Sequence, residues 1–229
     1  MRLTSVSLWK LEPENMERTF LPAAGRDVFL PLYDPFTKLF GFDAVRRALL
    51  DQAALQPHFR VLDIGCGTGT LAVLIKRLYP AIDVVALDPD PRALDRARRK
   101  AERAGVSVRF DRGFSDALGY PDAAFDRVFS SMMFHHLESG DKEPTLREIR
   151  RVLKPGGRLE LLDFEGPDSH AHGFLGRMVH AHERLRGNAA ERVLDLMVWA
   201  GFPNPKKVDD QSTLFGRVAF YQAPAPAGL

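Results

Sequence analysis

Apolar positions in this chain alternate between two periods. Short, almost unbroken apolar runs bounded by Pro or Gly read as buried strands, and between them lie longer stretches with apolar residues at helical spacing. "FRVLDI" (Phe59 to Ile64) is the first such run, closed by Pro57 on one side and glycines on the other. Thr68 to Tyr79, "TGTLAVLIKRLY", follows with helical spacing and stops at Pro80. The unit then repeats. "IDVVALD" (Ile82 to Asp88) predicts a second strand, and Pro89 to Gly105 a helix with Pro91 in its first turn and Gly105 just past its end. "VSVRF" predicts a third strand, Ala124 to Phe134 a fourth, Asp141 to Gly157 a helix with a Pro-Gly stop, and Arg158 to Phe164 a fifth.

Strands that alternate with helices imply a parallel sheet covered on both faces. The expected fold is α/β: a Rossmann-like, doubly wound, seven-stranded and mostly parallel sheet with a helical cap. Residues 1–56 precede the first strand and hold the amphipathic stretch "YDPFTKLFGFDAVRRALLDQAAL", expected as an N-terminal cap. Residues 57–165 form the core, 166–201 a cap insert of two helices split near Gly187, and 202–229 two closing strands and a tail.

Size and charge narrow the picture. With 229 residues, 45% hydrophobic, one domain with a full core is expected. Basic and acidic residues nearly cancel, 32 against 30, so there is no nucleic-acid-sized positive field. The single cysteine, Cys66, excludes an intrachain disulfide and a protein-only Cys-based zinc site. No run of about eighteen apolar residues occurs, and the N-terminus has no continuous apolar signal region, so a cytoplasmic protein is expected, with peripheral contact to an anionic surface still open.

Chemistry concentrates at "VLDIGCGTG", Val61 to Gly69, where Gly65, Gly67 and Gly69 follow an apolar run directly. Three glycines in five residues imply close backbone approach. In an open parallel sheet the first such turn is the usual ligand site, and an acid closing the second strand accepts from vicinal ribose hydroxyls. Asp88 occupies that place, so a nucleoside-bearing cofactor is expected. The dinucleotide fingerprint needs G-x-G-x-x-G, and Thr70 stands at the third glycine's position.

"VLDIGCGTG", "VVALDPD", "FDRVFSSMMFHHL" and "LREIRRVLKPGGRLELLDF" occur in that order. Together they resemble the class I S-adenosylmethionine-dependent methyltransferases, most closely the branch with the ubiquinone/menaquinone-biosynthesis C-methyltransferases. The resemblance spans Phe59 to Phe164 firmly and implies S-adenosylmethionine as cofactor, S-adenosylhomocysteine as product, and in-line methyl transfer to a small lipophilic acceptor, with C-, O- and N-methylation all open. It implies that Asp63 and the backbone of Gly65, Cys66 and Gly67 hold the methionine end, that Asp88 holds the ribose and Pro89 flanks the adenine, and that Ser131 offers a carbonyl. Where the family commonly has "GDA" after the third strand, this chain has Gly113-Phe114-Ser115. The adenine contact then passes to the Ser115–Asp116 stretch, with Asp116 accepting, or to Phe114 by stacking.

Two side chains are candidates for catalysis. His135, first of a His pair after the fourth strand, is a candidate general base because imidazole titrates near working pH. Tyr33, in "LYDPF", would close over the cofactor if it behaves as the N-terminal aromatic of related enzymes. His170, His172, His180 and His182 form two H-x-H pairs, but helical positions two apart face different ways, so no metal is expected. Phe36, Phe40, Phe42, Phe174, Met178 and Met197 would make an apolar pocket or simply core. The series Arg92, Arg96, Arg98, Arg99, Lys100 and Arg103, interspersed with Asp95 and Glu102, reads as a solvated helix face. "SSMM" lacks the Pro-Pro tetrad of amino-methylating nucleic-acid enzymes. Two rival functions share the layout: an NAD(P)-dependent oxidoreductase, and a non-catalytic module that binds S-adenosylmethionine.

Overall fold

The computed structural model describes residues 42–165, 190–213 and 216–228. Seven strands form one sheet: β1 (Arg60–Ile64), β2 (Asp83–Asp88), β3 (Arg109–Arg112), β4 (Phe125–Ser131), β5 (Leu153–Phe164), β6 (Lys206–Thr213) and β7 (Gly216–Pro224). Their order is β3-β2-β1-β4-β5-β7-β6, and only β7 runs against the others. Five helices are described: α1 (Phe42–Gln52), α2 (Thr70–Leu78), α3 (Pro91–Arg103), α4 (Ser139–Val152) and α5 (Ala190–Trp199). The chain leaves β1 toward β2 and re-enters the sheet at β4 on β1's other side, so the crevice between β1 and β4 is the topological switch point.

Side-chain alternation along the strands divides the core in two. Leu62, Ile64, Val85, Leu87, Val128 and Leu161 face α4 and α5, and meet Leu146, Ile149, Val193 and Met197. Val61, Val84, Ala86, Phe129, Leu162 and Phe220 face the other way, onto α1 and α2 through Leu49, Leu50, Leu71 and Ile75. α1 and α5, the parts of the two expected cap segments that are described, thus pack on the sheet as core helices. Met197 is fully buried core. Tyr33, Phe36, Phe40, Phe174, Met178 and the four histidines of the H-x-H pairs lie outside the described residues.

Three boundaries differ from the sequence reading. α3 ends in a Schellman motif in which the Val106 amide donates to Ala101 O and the Gly105 amide to Glu102 O, with Gly105 at φ +66°. That exit consumes the first residues expected in the third strand, and β3 pairs with β2 only from Arg109. β4 stops at Ser131 because Met132 turns left-handed, φ +59°, and Phe134–His136 forms one 3-10 turn. α4 stops at Val152, and Leu153 already pairs with Phe125, so the Pro-Gly-Gly segment is an irregularity inside β5.

A buried ionic hub ties α1 to the sheet. Glu160 on β5, 1% exposed, accepts from Arg158 Nε at 2.5 Å and Gln222 Nε2 at 3.1 Å and lies 3.7 Å from Arg127 Nε. Arg158 and Gln222 donate in turn to Gln52 O, and Arg127 to Ala53 O, so strands β4, β5 and β7 satisfy carbonyls at the end of α1 that have no helical partner. Glu160→Ala would leave two guanidinium groups without their shared carboxylate in a largely dry site. The expected cost is about 3–5 kcal/mol, read as a lower midpoint in urea unfolding.

Candidate functional site

The glycine turn is shaped first by the protein's own packing. A Cβ on Gly65, at φ +65°, would overlap the Met133 side chain, and one on Gly69, at φ +73°, would lie 2.8 Å from Ala97 Cβ and 3.1 Å from Phe110. Both positions therefore exclude any side chain, by backbone angle and by space. The Cys66 amide donates to Leu87 O, and the Gly69 amide to Cys66 O, which folds the turn over the end of β2 before α2 begins.

Two carboxylates stand at the adjacent ends of β1 and β2. Asp88, 8% exposed, accepts from the Gly67 amide at 2.8 Å through Oδ2 and from the Asp90 amide at 2.9 Å through Oδ1. Each oxygen keeps a further lone pair, which suits a pair of vicinal hydroxyls. Burial raises its pKa to about 6, against the two amides that favour the charge. Asp90 in turn caps α3 by accepting from the Arg92 amide, with Pro91 as the first helical residue.

Asp63 is 1% exposed, and its Oδ2 has no hydrogen-bond partner. Burial and the neighbouring Asp88 charge raise it to about 7, while the Ala72 amide and the more distant Arg46 charge oppose the rise. A buried acceptor with nothing to accept from is costly. A buried acid raised further by a neighbouring acid suits a place that holds a cation, and the expected cofactor carries an ammonium and a sulfonium. The donor set therefore fits it: Asp63 would take the ammonium and Asp88 the ribose. Burial and the two carboxylates push the Cys66 thiol up, which disfavours its thiolate, and its Sγ donates weakly to Gly67 O at 3.8 Å.

The remaining predicted residues are spread around this centre. Pro89 is half-buried next to Asp88, and its carbonyl accepts from Arg112 Nε. Ser131 is half-buried at the end of β4, immediately before the left-handed Met132. Phe114, Ser115 and Asp116 form a half-buried turn beyond β3; the Ser115 hydroxyl bonds to Thr145 on α4 at 2.9 Å, so this side chain anchors the turn.

His135 has a partner that sequence reasoning missed. Asp163, on β5 and 1% exposed, accepts the His135 amide at 2.9 Å through Oδ2 and faces His135 Nδ1 at 2.5 Å through Oδ1. Burial alone would raise the Asp163 carboxyl, but the His135 charge and hydrogen bonds, with the Phe164 amide, hold it below its usual value. An ionised Asp163 fixes the proton on Nδ1 and leaves Nε2 as the accepting atom. The ring sits edge-on to Phe164 at 5.3 Å, and Phe164 meets Phe42 of α1 edge-on at 6.5 Å. A visible signal existed: the acid in "LLDF" ends the strand next to the one that leads into "FHH". Among the described residues no group of three or more metal-ligating side chains occurs, and no helix is long and apolar enough to cross a membrane.

Asp63→Asn separates binding from stability. An acid whose folded pKa is raised supports the fold most below its unfolded value, near 3.8, and loses that support as pH rises through about 7. The ligand-free variant should therefore melt above the native protein at pH 8, with the gap closing toward pH 5. The stabilisation by S-adenosylmethionine should largely disappear. Differential scanning fluorimetry across pH, with and without the nucleoside, reads both effects.

Comparison with known proteins agrees with this geometry. Residues 61–157 match the family described as "Methyltransferase domain". The demethylmenaquinone methyltransferase of Thermus thermophilus is 41% identical over 151 residues, covering 65% of this chain and 68% of that protein. The enzyme of the same name from Deinococcus radiodurans is 36% identical over 203 residues, covering 84% and 83%. Among solved structures the [4+2]-cyclase SpnF superposes with a TM-score of 0.67 at 22% identity, covering 81% of each chain, which speaks to the fold alone. The switch-point crevice, the glycine turn over two buried acids and the extent of these relatives converge: this chain belongs to the class I S-adenosylmethionine-dependent methyltransferases, in the branch of the quinone-biosynthesis C-methyltransferases.

Proposed function

We propose that this enzyme methylates a ring carbon of a lipophilic quinol. The observation that carries the reading is the His135–Asp163 pair at the ends of β4 and β5, which supplies a base of a kind that an activated aromatic carbon requires. Two relatives that align over most of their length carry the name demethylmenaquinone methyltransferase, which supports a quinol-type acceptor.

When bound, S-adenosylmethionine supplies a methyl group already made electrophilic by its sulfonium. The chain's own part is positioning and proton control. Asp63, the 65–67 turn and Asp88 hold the cofactor. His135 Nε2 takes a proton from a hydroxyl of the acceptor ring and so raises the electron density of the ring carbons. The carbon that gains the methyl group then loses its own proton, and the imidazolium returns the first proton to the oxygen, so that the quinol is restored with one proton released to solvent. Asp163 keeps Nδ1 protonated and balances the imidazolium that forms, as the acid of a His–Asp pair does in other enzymes. Phe42 and Phe164 line the same end with apolar surface, and water exclusion there strengthens both contacts.

The test is methyl transfer from labelled S-adenosylmethionine to a short-chain naphthoquinol lacking one ring methyl, with the product identified by mass spectrometry and NMR. A new C-methyl is expected. An O-methyl product, or no transfer although the cofactor stabilises the protein, would overturn the assignment. His135→Ala should lower kcat by about 10²- to 10⁴-fold with the cofactor-induced melting shift intact. Asp163→Asn should also lower kcat and shift its pH profile, because a neutral amide at that position no longer fixes the tautomer or balances the charge.

A further inference from the structure

Three helices that share no sequence motif build a cationic groove of about 560 Å³ beside the cofactor turn. α1 supplies Arg47, α2 supplies Arg77, and α3 supplies Lys100 and Arg103, over a floor that includes Val73 and Leu74. Among the described residues Asp43 is the one acid that lines it. In a chain whose formal net charge is only +2, this is a local concentration of charge. The α3 series that reads as a solvated face is thus divided: Arg98 pairs outward with Asp95, while Lys100 and Arg103 turn toward α1 and α2.

The arginines here lack the carboxylate partner that several arginines elsewhere have. Arg98, Arg109, Arg147, Arg151 and Arg217 are each paired with a carboxylate. Arg47, Arg77 and Arg103, all exposed, have no acidic partner within bonding distance among the described residues. Arg77 and Arg103 lie in the last turns of their helices, where a cation complements the dipole. That accounts for neither Arg47, in the middle of α1, nor the convergence of all three. Lys100 is anchored by donating to Thr68 and Thr70 hydroxyls at 3.0 and 2.7 Å, which holds its ammonium at the wall.

We propose that this groove docks the enzyme onto an anionic lipid bilayer. Exposed cations at the rim of the groove match the phosphates of lipid headgroups, and Leu78, 43% exposed and one helical turn beyond Leu74, adds apolar surface beside them. Among the described residues no aromatic side chain lines the groove, so it lacks the stacking platform that a single-stranded nucleic acid uses. Position gives the docking a purpose. In the first turn of α1, Asp43 opens on the groove, while the adjacent Phe42 packs on Phe164, which contacts His135. A docked enzyme would hold its acceptor end close to the membrane plane; this last step rests on the lipophilic acceptor proposed above.

The full-length protein, saturated with S-adenosylhomocysteine, is sedimented with phosphatidylcholine vesicles containing about one-third phosphatidylglycerol, in about 0.1 M salt. Binding to these vesicles and not to pure phosphatidylcholine is expected. Arg47→Ala, Arg77→Ala and Arg103→Ala should each weaken it roughly fivefold, and together on the order of 100-fold, since one basic residue near such a surface contributes about that factor. The triple variant should keep the native melting shift with S-adenosylhomocysteine, which shows that it is folded. Equal sedimentation of native and triple variant, or equal binding to neutral vesicles, would overturn the proposal. So would stabilisation by inorganic phosphate that the triple variant loses, without any vesicle binding, because the groove would then serve a soluble anion. No acceptor is present in this experiment, so its outcome is independent of whether a quinol is methylated.

Discussion

Two carboxylates buried side by side govern this structure. Asp63 and Asp88 stand at the ends of neighbouring parallel strands, nearly closed to water, and each is raised well above its ordinary pKa by burial. Burying charge costs free energy unless a partner offsets it. Asp88 recovers part of the cost through the Gly67 and Asp90 amides, which is why the turn must pass so close and why Asp90 must begin α3 where it does. Asp63 is not so compensated at Oδ2. The pair is therefore held under an electrostatic cost that a cation placed beside Asp63 Oδ2 would offset.

The sheet keeps the Asp63–Asp88 pair apart from the His135–Asp163 pair. Asp63 points from β1 toward α1 and α2, on the face of Val61, whereas Asp163 points from β5 toward α4, on the face of Leu159 and Leu161. Period-two alternation puts Asp63 and Asp163 on opposite faces, on either side of the crevice at the switch point. Met132 and the 3-10 turn assemble the second pair. By leaving the strand at a left-handed residue, a conformation that typically costs about 1–3 kcal/mol, the chain brings His135 back against β5. Met133, in the same bend, seals Gly65 from below.

Parts of this were legible in the residues. The β1 turn reads from "VLDIGCGTG" because strand, glycines and helix are contiguous, and Asp88 reads from its place at the end of an apolar run. The purpose of the glycines was only half legible. Close approach was expected, but Gly65 and Gly69 are excluded from bearing side chains by Met133 and by Ala97 with Phe110, contacts made across 68 and 28 or more positions of chain. Likewise "VSVRF" carries strand propensity, and only the exit of α3 through Val106 shows why pairing begins at Arg109.

The sequence by itself determined the alternation of strands and helices and the glycine turn after β1, because each depends on residues near one another in the chain or on period alone, and the class of cofactor, because four motifs in fixed order carry the family resemblance. Tertiary structure decided what depends on distant segments meeting. Asp163 becomes the partner of His135 only when β4 and β5 lie side by side. Glu160 becomes a hub only when Arg127, Arg158 and Gln222 arrive from three strands. The cationic groove exists only because α1, α2 and α3 each turn one stripe toward the same gap. Local order can be read along a chain, but contact between its distant parts is fixed only by packing the whole core.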